Sequence, residues 1–200
     1  RKINFITTDD GYAPPKTVEM TRKLVEQDEV LAMFSSLGST QNSAVHKYLN
    51  AKKVPQLFVG SGASHWDNAK GFPWTMGWQP NYQAEGRIYA QHILKSSPNA
   101  RIAVLMQNDD FGKDYLKGLK DGLGAKASMI VAEASYEVTD PTVDSQVVQL
   151  KASGADVFVN LSSPKFTAQS VRKVHDMGWK PTQYVPTVCI SGDSVLTPAG

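Results

Sequence analysis

The residues best placed for chemistry are hydroxyls and glycines that follow apolar runs. In "SSLGSTQNSAVHKYL", residues 35–49, the preceding "VLAMF" gives way to Leu37, Gly38, Ser39 and Thr40. A helical pattern then begins, with Ala44, Val45, Tyr48 and Leu49 on its apolar side. The first N–H groups of a helix lack intrahelical partners, so Ser39 and Thr40 suit an N-cap. The same hydroxyls and N–H groups, aided by the helix dipole, also suit an anion such as a carboxylate. "GSGASH", residues 60–65, offers Ser61 and Ser64 after a second apolar run. It lacks the third glycine and the following helix of a dinucleotide loop, so no nucleotide site is expected there.

Other candidates have simpler readings. Asp9–Asp10 and Asp109–Asp110 resemble acidic pairs that hold magnesium, but they lie far apart in the chain and suit caps of the helices that follow. His46, His65, His92 and His175 have neither i, i+4 partners nor cysteine company, so no metal site is expected. Cys189 is the single cysteine, set in the strand-like "VPTVCIS", where it reads as a small buried hydrophobe. No serine occupies a G-x-S-x-G elbow, and nothing pairs a nucleophile with a base. Binding therefore stands ahead of catalysis, with no cofactor implied.

These residues need a scaffold of alternating strands and helices. Residues 3–8, 30–34, 56–59, 102–106, 128–132, 157–161 and 184–190 read as strands, several nearly continuous in apolar character, as buried parallel strands are. Phe111, Tyr115, Leu119 and Leu123 recur every four residues, and Val143, Val147 and Leu150 share a second helical face. The alternation predicts an α/β fold with parallel sheets. Residues 60–81 break the rhythm with three tryptophans and no period, as functional loops do. "KSSPNAR", residues 95–101, precedes a fresh strand and places a lobe boundary near Pro98, giving lobes 1–98 and 99–200. The 200 residues carry a net charge of +2 with both signs interspersed, which excludes a nucleic-acid footprint. No apolar run has the length of a membrane span. The chain opens inside a strand without methionine, so a targeting signal is not expected in this stretch.

The order of these motifs resembles the periplasmic solute-binding proteins of ABC importers, branched-chain amino acid-binding type. The resemblance rests on "RKINFITTDDGYAPPKTVEMTRKLVEQDEVLAMF", "SSLGSTQNSAVHKYLNAKKVPQLFVGSGAS", "NDDFGKDYLKGLKDGL" and "GADVFVNLSSPKFTAQSVRKVHDMGWKP". It implies a type I periplasmic binding protein fold: two Rossmann-like parallel-sheet lobes that close over a small ligand. It also implies a central segment, with an N-terminal strand and helix and the C-terminal part of the second lobe lying outside it. By the same resemblance the protein is a monomer, periplasmic or lipid-anchored outside the cytoplasm, that delivers a small carboxylate to a membrane permease. Carried over by position, ligand contacts fall at Leu37, Gly38, Ser39 and Thr40, then at Gly62, Ala63 and Ser64. The second lobe supplies Phe111, Ser162 or Ser163, and Val188 or Cys189. The stretch "VPTVCISG" lacks the acidic residue that pairs an amino-acid ligand's ammonium, and Phe111 stands where the family has tyrosine. An aromatic or aliphatic acid without an α-amino group fits those departures, and an amino acid is the other carboxylate the resemblance implies. Trp74 and Trp78 are either further aromatic contacts or core. A ligand-sensing receptor domain of the same fold, and a receiver-like or hydrolytic α/β enzyme, are the alternatives.

Overall fold

In the computed structural model, which describes residues 2–200, the chain divides into a unit ending at Asn81 and a unit spanning Tyr82–Gly200. The division precedes the helix Tyr82–Ser96, so that helix packs with the second unit rather than the first.

The first unit holds α1 (Pro14–Glu26), β1 (Met33–Phe34), α2 (Ser39–Lys52), β2 (Gln56–Val59) and β3 (Thr75–Gly77). The three strands form one parallel sheet in the order β1-β2-β3. Two expectations are corrected here. Residues 3–8 form no strand, and Ile3 and Phe5 are exposed, because a strand exists only where a neighbour completes its ladder. The expected strand 30–34 shrinks to Met33–Phe34 for the same reason. The irregular stretch 60–81 in turn contains a strand, β3, and a 3-10 turn, Ser64–Trp66. Trp66 is buried, whereas Trp74 and Trp78 are exposed, so neither of the latter is core. Phe5, Phe34, Phe58 and Trp78 meet edge-on in a row, with ring centroids 5.5–6.4 Å apart.

The second unit holds α3 (Tyr82–Ser96), β4 (Ile102–Gln107), α4 (Asp110–Leu123), β5 (Ile130–Tyr136), α5 (Asp144–Ala152), β6 (Val157–Leu161), α6 (Pro164–Asp176), β7 (Thr182–Tyr184) and the short α7 (Thr197–Ala199). Its sheet is parallel throughout, in the order β5-β4-β6-β7. Every residue of β6 is buried, as expected for a central strand covered on both faces. Ala103, Leu105 and Phe158 pack with Val147, Leu150, Phe166 and Val174, so α5 and α6 share one face. Ile102, Val104, Val157 and Val159 have the opposite parity and are also buried, beneath α4.

Helices α3 and α4 lie unusually close. A Cβ at Gly118 would come within 2.2 Å of the Gln83 carbonyl oxygen, and one at Gly86 within 2.5 Å of that of Tyr115. Glycine is required at both positions. Two strand boundaries differ from expectation. β5 begins at Ile130 after a 3-10 turn, and β7 ends at Tyr184, so residues 187–189 form a 3-10 turn instead of sheet.

Candidate functional site

In the first unit, pairing between β1 and β2 extends past both strands. Leu37 bridges Gly60, the Gly60 N–H donates to the Ser36 carbonyl at 2.8 Å, and the Gly38 N–H donates to the Gly60 carbonyl at 3.2 Å. This extension brings the two expected groups together: Leu37, Gly38, Ser39 and Thr40 beside Gly62, Ala63 and Ser64. The capping reading of Ser39 does not hold. Gly38 is the N-cap of α2, at φ 97°, where only glycine sits without strain, and it has no side chain to cap with. The Ser39 hydroxyl instead meets the Ser61 hydroxyl at 2.7 Å, and Ser61 Oγ also accepts from the Ala63 N–H. Ser39 is buried, Thr40 and Ser64 are half-buried, and Leu37 is exposed.

Beneath these loops lies a buried amide network. Asn42 Nδ2 donates to the carbonyls of Ser36 and Gly38, at 2.8 and 2.7 Å, while its Oδ1 accepts from Gln56 Nε2. Asn42 shares a helical face with Val45, His46 and Leu49. A polar residue on that apolar stripe was its sequence signal. On the same helix His46 stacks on Phe72 at 3.8 Å, with Trp66 edge-on. Burial, then the neighbouring His65, hold the His46 imidazole down at about 4.

In the second unit, strand order reverses between β4 and β6, whose helices run to opposite sides of the sheet. Ligands in open α/β sheets bind at such switch points, beyond the strands' carboxyl ends. Phe111 follows β4, and Ser162 and Ser163 follow β6. The two loops are tied by one chain of contacts. Asp109, the N-cap of α4, accepts from the N–H groups of Phe111 and Gly112, and its other oxygen accepts from Gln107 Nε2. Gln107 Oε1 accepts from the Tyr136 hydroxyl at 3.0 Å, and that hydroxyl accepts from the Ser163 N–H at 2.9 Å. Asp109 thus behaves as the expected cap, whereas Asp9 and Asp10 accept from the Gly11 and Tyr12 N–H groups in the loop before α1, and Asp10 also from the Thr17 hydroxyl within α1.

Ser162 is fully buried, and its hydroxyl is engaged by Asn160 Oδ1 and Thr167 Oγ1. Ser163 is half-buried. Phe111 is buried, its ring edge-on to Tyr82 and Tyr115. Cys189 is buried as expected, though in a turn. Its thiol donates to the Ser162 carbonyl at 3.0 Å, and burial pushes it up to about 11, far from a reactive thiolate. Glu85, absent from the sequence reading, is buried on α3 among Tyr89, Tyr115 and Thr187. Its place on the apolar stripe of Tyr82, Tyr89 and Ile93 was the available signal. Among the described residues no cluster of three or more metal-ligating side chains occurs, and no helix is long and apolar enough to cross a membrane.

Against known proteins, the family model for periplasmic binding proteins matches residues 1–200. The chain belongs to that family. Its members bind solutes rather than transform them, and the family's place is outside the cytoplasm. Among curated relatives, this family member is 23% identical over 190 residues to the "Leu/Ile/Val-binding protein homolog 7" of Brucella abortus, covering 88% of the chain. It spans 46%, about half, of the length of that relative. Two solved solute-binding proteins share the fold. One, from R. palustris in complex with benzoate, has a TM-score of 0.88 at 19% identity, over all of this chain and 55% of its own. Another, from Rhodopseudomonas palustris BisB5 in complex with 3,4-dihydroxybenzoic acid, has a TM-score of 0.85 at 18% identity, over 96% of this chain and 53% of its own.

Proposed function

We propose that the complete protein captures a small aromatic or aliphatic carboxylic acid outside the cytoplasm, as a monomer, and presents it to an ABC permease. The observation that carries this reading is the β1–β2 extension, which gathers Gly38, Ser39, Thr40, Gly62, Ala63 and Ser64 at one helix N-terminus. Glycines allow close approach to the backbone there, and Thr40 and Ser64 bring hydroxyls to a carboxylate. In the second unit, Phe111, Ser163, Val188 and Cys189 supply a wall of their own. That wall offers an ammonium no carboxylate: Glu85 is already surrounded by donors, and an unpaired buried ammonium costs several kcal/mol. Two fold neighbours solved with benzoate and a dihydroxybenzoate support an aromatic acid.

Titration calorimetry on the complete protein tests the reading. Benzoate is expected to bind more tightly than leucine. Thr40→Ala and Ser64→Ala should each weaken benzoate by roughly 1.5–3 kcal/mol and benzamide far less, since hydrogen bonds to charged groups are the stronger ones. A higher affinity for leucine, or equal losses for acid and amide, would overturn it.

A further inference from the structure

The expected strand 184–190 ends early, at Tyr184, and the chain from Val185 to Cys189 leaves the sheet. Outside a ladder its backbone groups need other partners. Glu85 provides one. Its Oε1 accepts from the Thr187 N–H at 2.8 Å, and its Oε2 from the Thr187 hydroxyl at 3.1 Å. On the opposite side, Oε2 accepts from the Tyr115 hydroxyl of α4 at 2.6 Å. The Tyr89 hydroxyl reaches both Glu85 Oε1 and the Val185 carbonyl, and its single proton serves one at a time. Burial, and then Glu85 itself, push the Tyr89 and Tyr115 phenols up, so both remain donors. At its other end the turn is held by the Cys189 thiol on the Ser162 carbonyl. Tyr115 also stacks on Tyr82, and both rings bear on Phe111.

We propose that Glu85 is a positioning residue, a buried carboxylate that fixes the Thr187–Cys189 turn against α3 and α4 and thereby places Val188, Cys189 and Phe111 for the ligand. The ligand part rests on the function proposed above; the placement of the turn does not. A neutral apolar side chain would fill the same volume without the desolvation cost of a charge. Only a carboxylate accepts from a backbone N–H, two phenols and a hydroxyl at once.

The test uses the complete protein and the thiol of Cys189 as reporter. Glu85→Gln keeps the volume but turns an amide N–H₂ toward donors. Thr187→Val removes one donor and leaves the core of the unit intact. Leu150→Val, on the α5 side of the sheet, serves as a control for lowered stability. Well below every melting temperature, N-ethylmaleimide labelling of the Cys189 peptide is followed by mass spectrometry, and benzoate affinity by calorimetry. Glu85→Gln should label about tenfold faster and bind benzoate about tenfold more weakly than the parent, as loss of a charge-assisted hydrogen bond implies. Thr187→Val should move the same way by less, and Leu150→Val should move neither. Glu85→Asp should recover part of both. If Glu85→Gln does not fold, Thr187→Val carries the decision. Labelling and affinity that track melting temperature alike in all variants would overturn the proposal and leave Glu85 a core tie. A parent that binds no benzoate would sink the ligand reading, and labelling would still decide whether Glu85 places the turn.

Discussion

In the first unit the strand-end loops hang on uncharged groups, Asn42 and Gln56, whose amides hold carbonyl oxygens and each other. In the second unit they hang on two carboxylates, Asp109 and Glu85, which accept from the N–H groups of Phe111, Gly112 and Thr187. The contrast lies in which half of the peptide group these side chains engage: the amide of Asn42 takes the Ser36 and Gly38 carbonyls, whereas the two carboxylates take the Phe111, Gly112 and Thr187 N–H groups. The packing differs in parallel. β4 and β6 are largely apolar and covered on both faces, while the first unit has an aromatic row in which Phe5, Phe34 and Trp78 are exposed.

The largest effect that would break this comparison is expected at Asn42. Asn42→Ala leaves the buried Gln56 amide without its acceptor, at about 1–3 kcal/mol. It also removes a second donor from the Ser36 and Gly38 carbonyls, each of which keeps a backbone N–H, at about 0.5–1.5 kcal/mol per hydrogen bond. A total of about 3 kcal/mol or more is expected, read as faster hydrogen exchange at the Gly38 and Gly60 amides with β4 and β6 unchanged. Equal acceleration in both units would show that the two scaffolds are not separate.

Acid should act next, and on the first unit. The His46 ring is held at about 4 by burial and by His65, against an ordinary value near 6.5. The unfolded chain then binds more protons than the folded one throughout that window. Stability contributed by the neutral ring is complete above pH 6.5 and is lost as pH falls toward 4, by at most about 3 kcal/mol. Denaturation midpoints of His46→Gln should lack this slope between pH 6.5 and 4. An unchanged slope would move the acid sensitivity elsewhere.

The smallest of the three effects belongs to the second unit. Asp109→Ala removes the α4 cap and should lower stability in urea by about 1 kcal/mol, whereas Asp109→Asn, a comparable cap, should lose much less. A large loss with asparagine would mean that charge, not acceptor geometry, holds that loop.

Much of the second unit was legible in the chain. Residues 157–161 read as strand and are strand, because a segment buried on both faces is nearly continuous in apolar residues, its one polar member, Asn160, being paired with Ser162 and Ser170. Phe111, Tyr115, Leu119 and Leu123 announced α4, and all four are buried, because helical burial repeats with the turn. The grouping of Leu37–Thr40 with residues 62–64 came from family resemblance; what the β1–β2 extension pairs is Leu37 with Gly60 and Ser39 with Ser61.

Other features were decided only by the fold. Residues 3–8 have strand composition, yet a ladder needs a neighbour that no local pattern specifies. Ser39 looked like a cap until Ser61, across the sheet, took its hydroxyl. Cys189 sat in a strand-like run that becomes a turn, because the carboxylate of Glu85 accepts from the Thr187 N–H in place of a ladder partner. Periodicity reports which faces are buried, since burial is imposed at each position by local geometry. Which polar group meets which is set by distant segments brought together, and that only the tertiary structure decides.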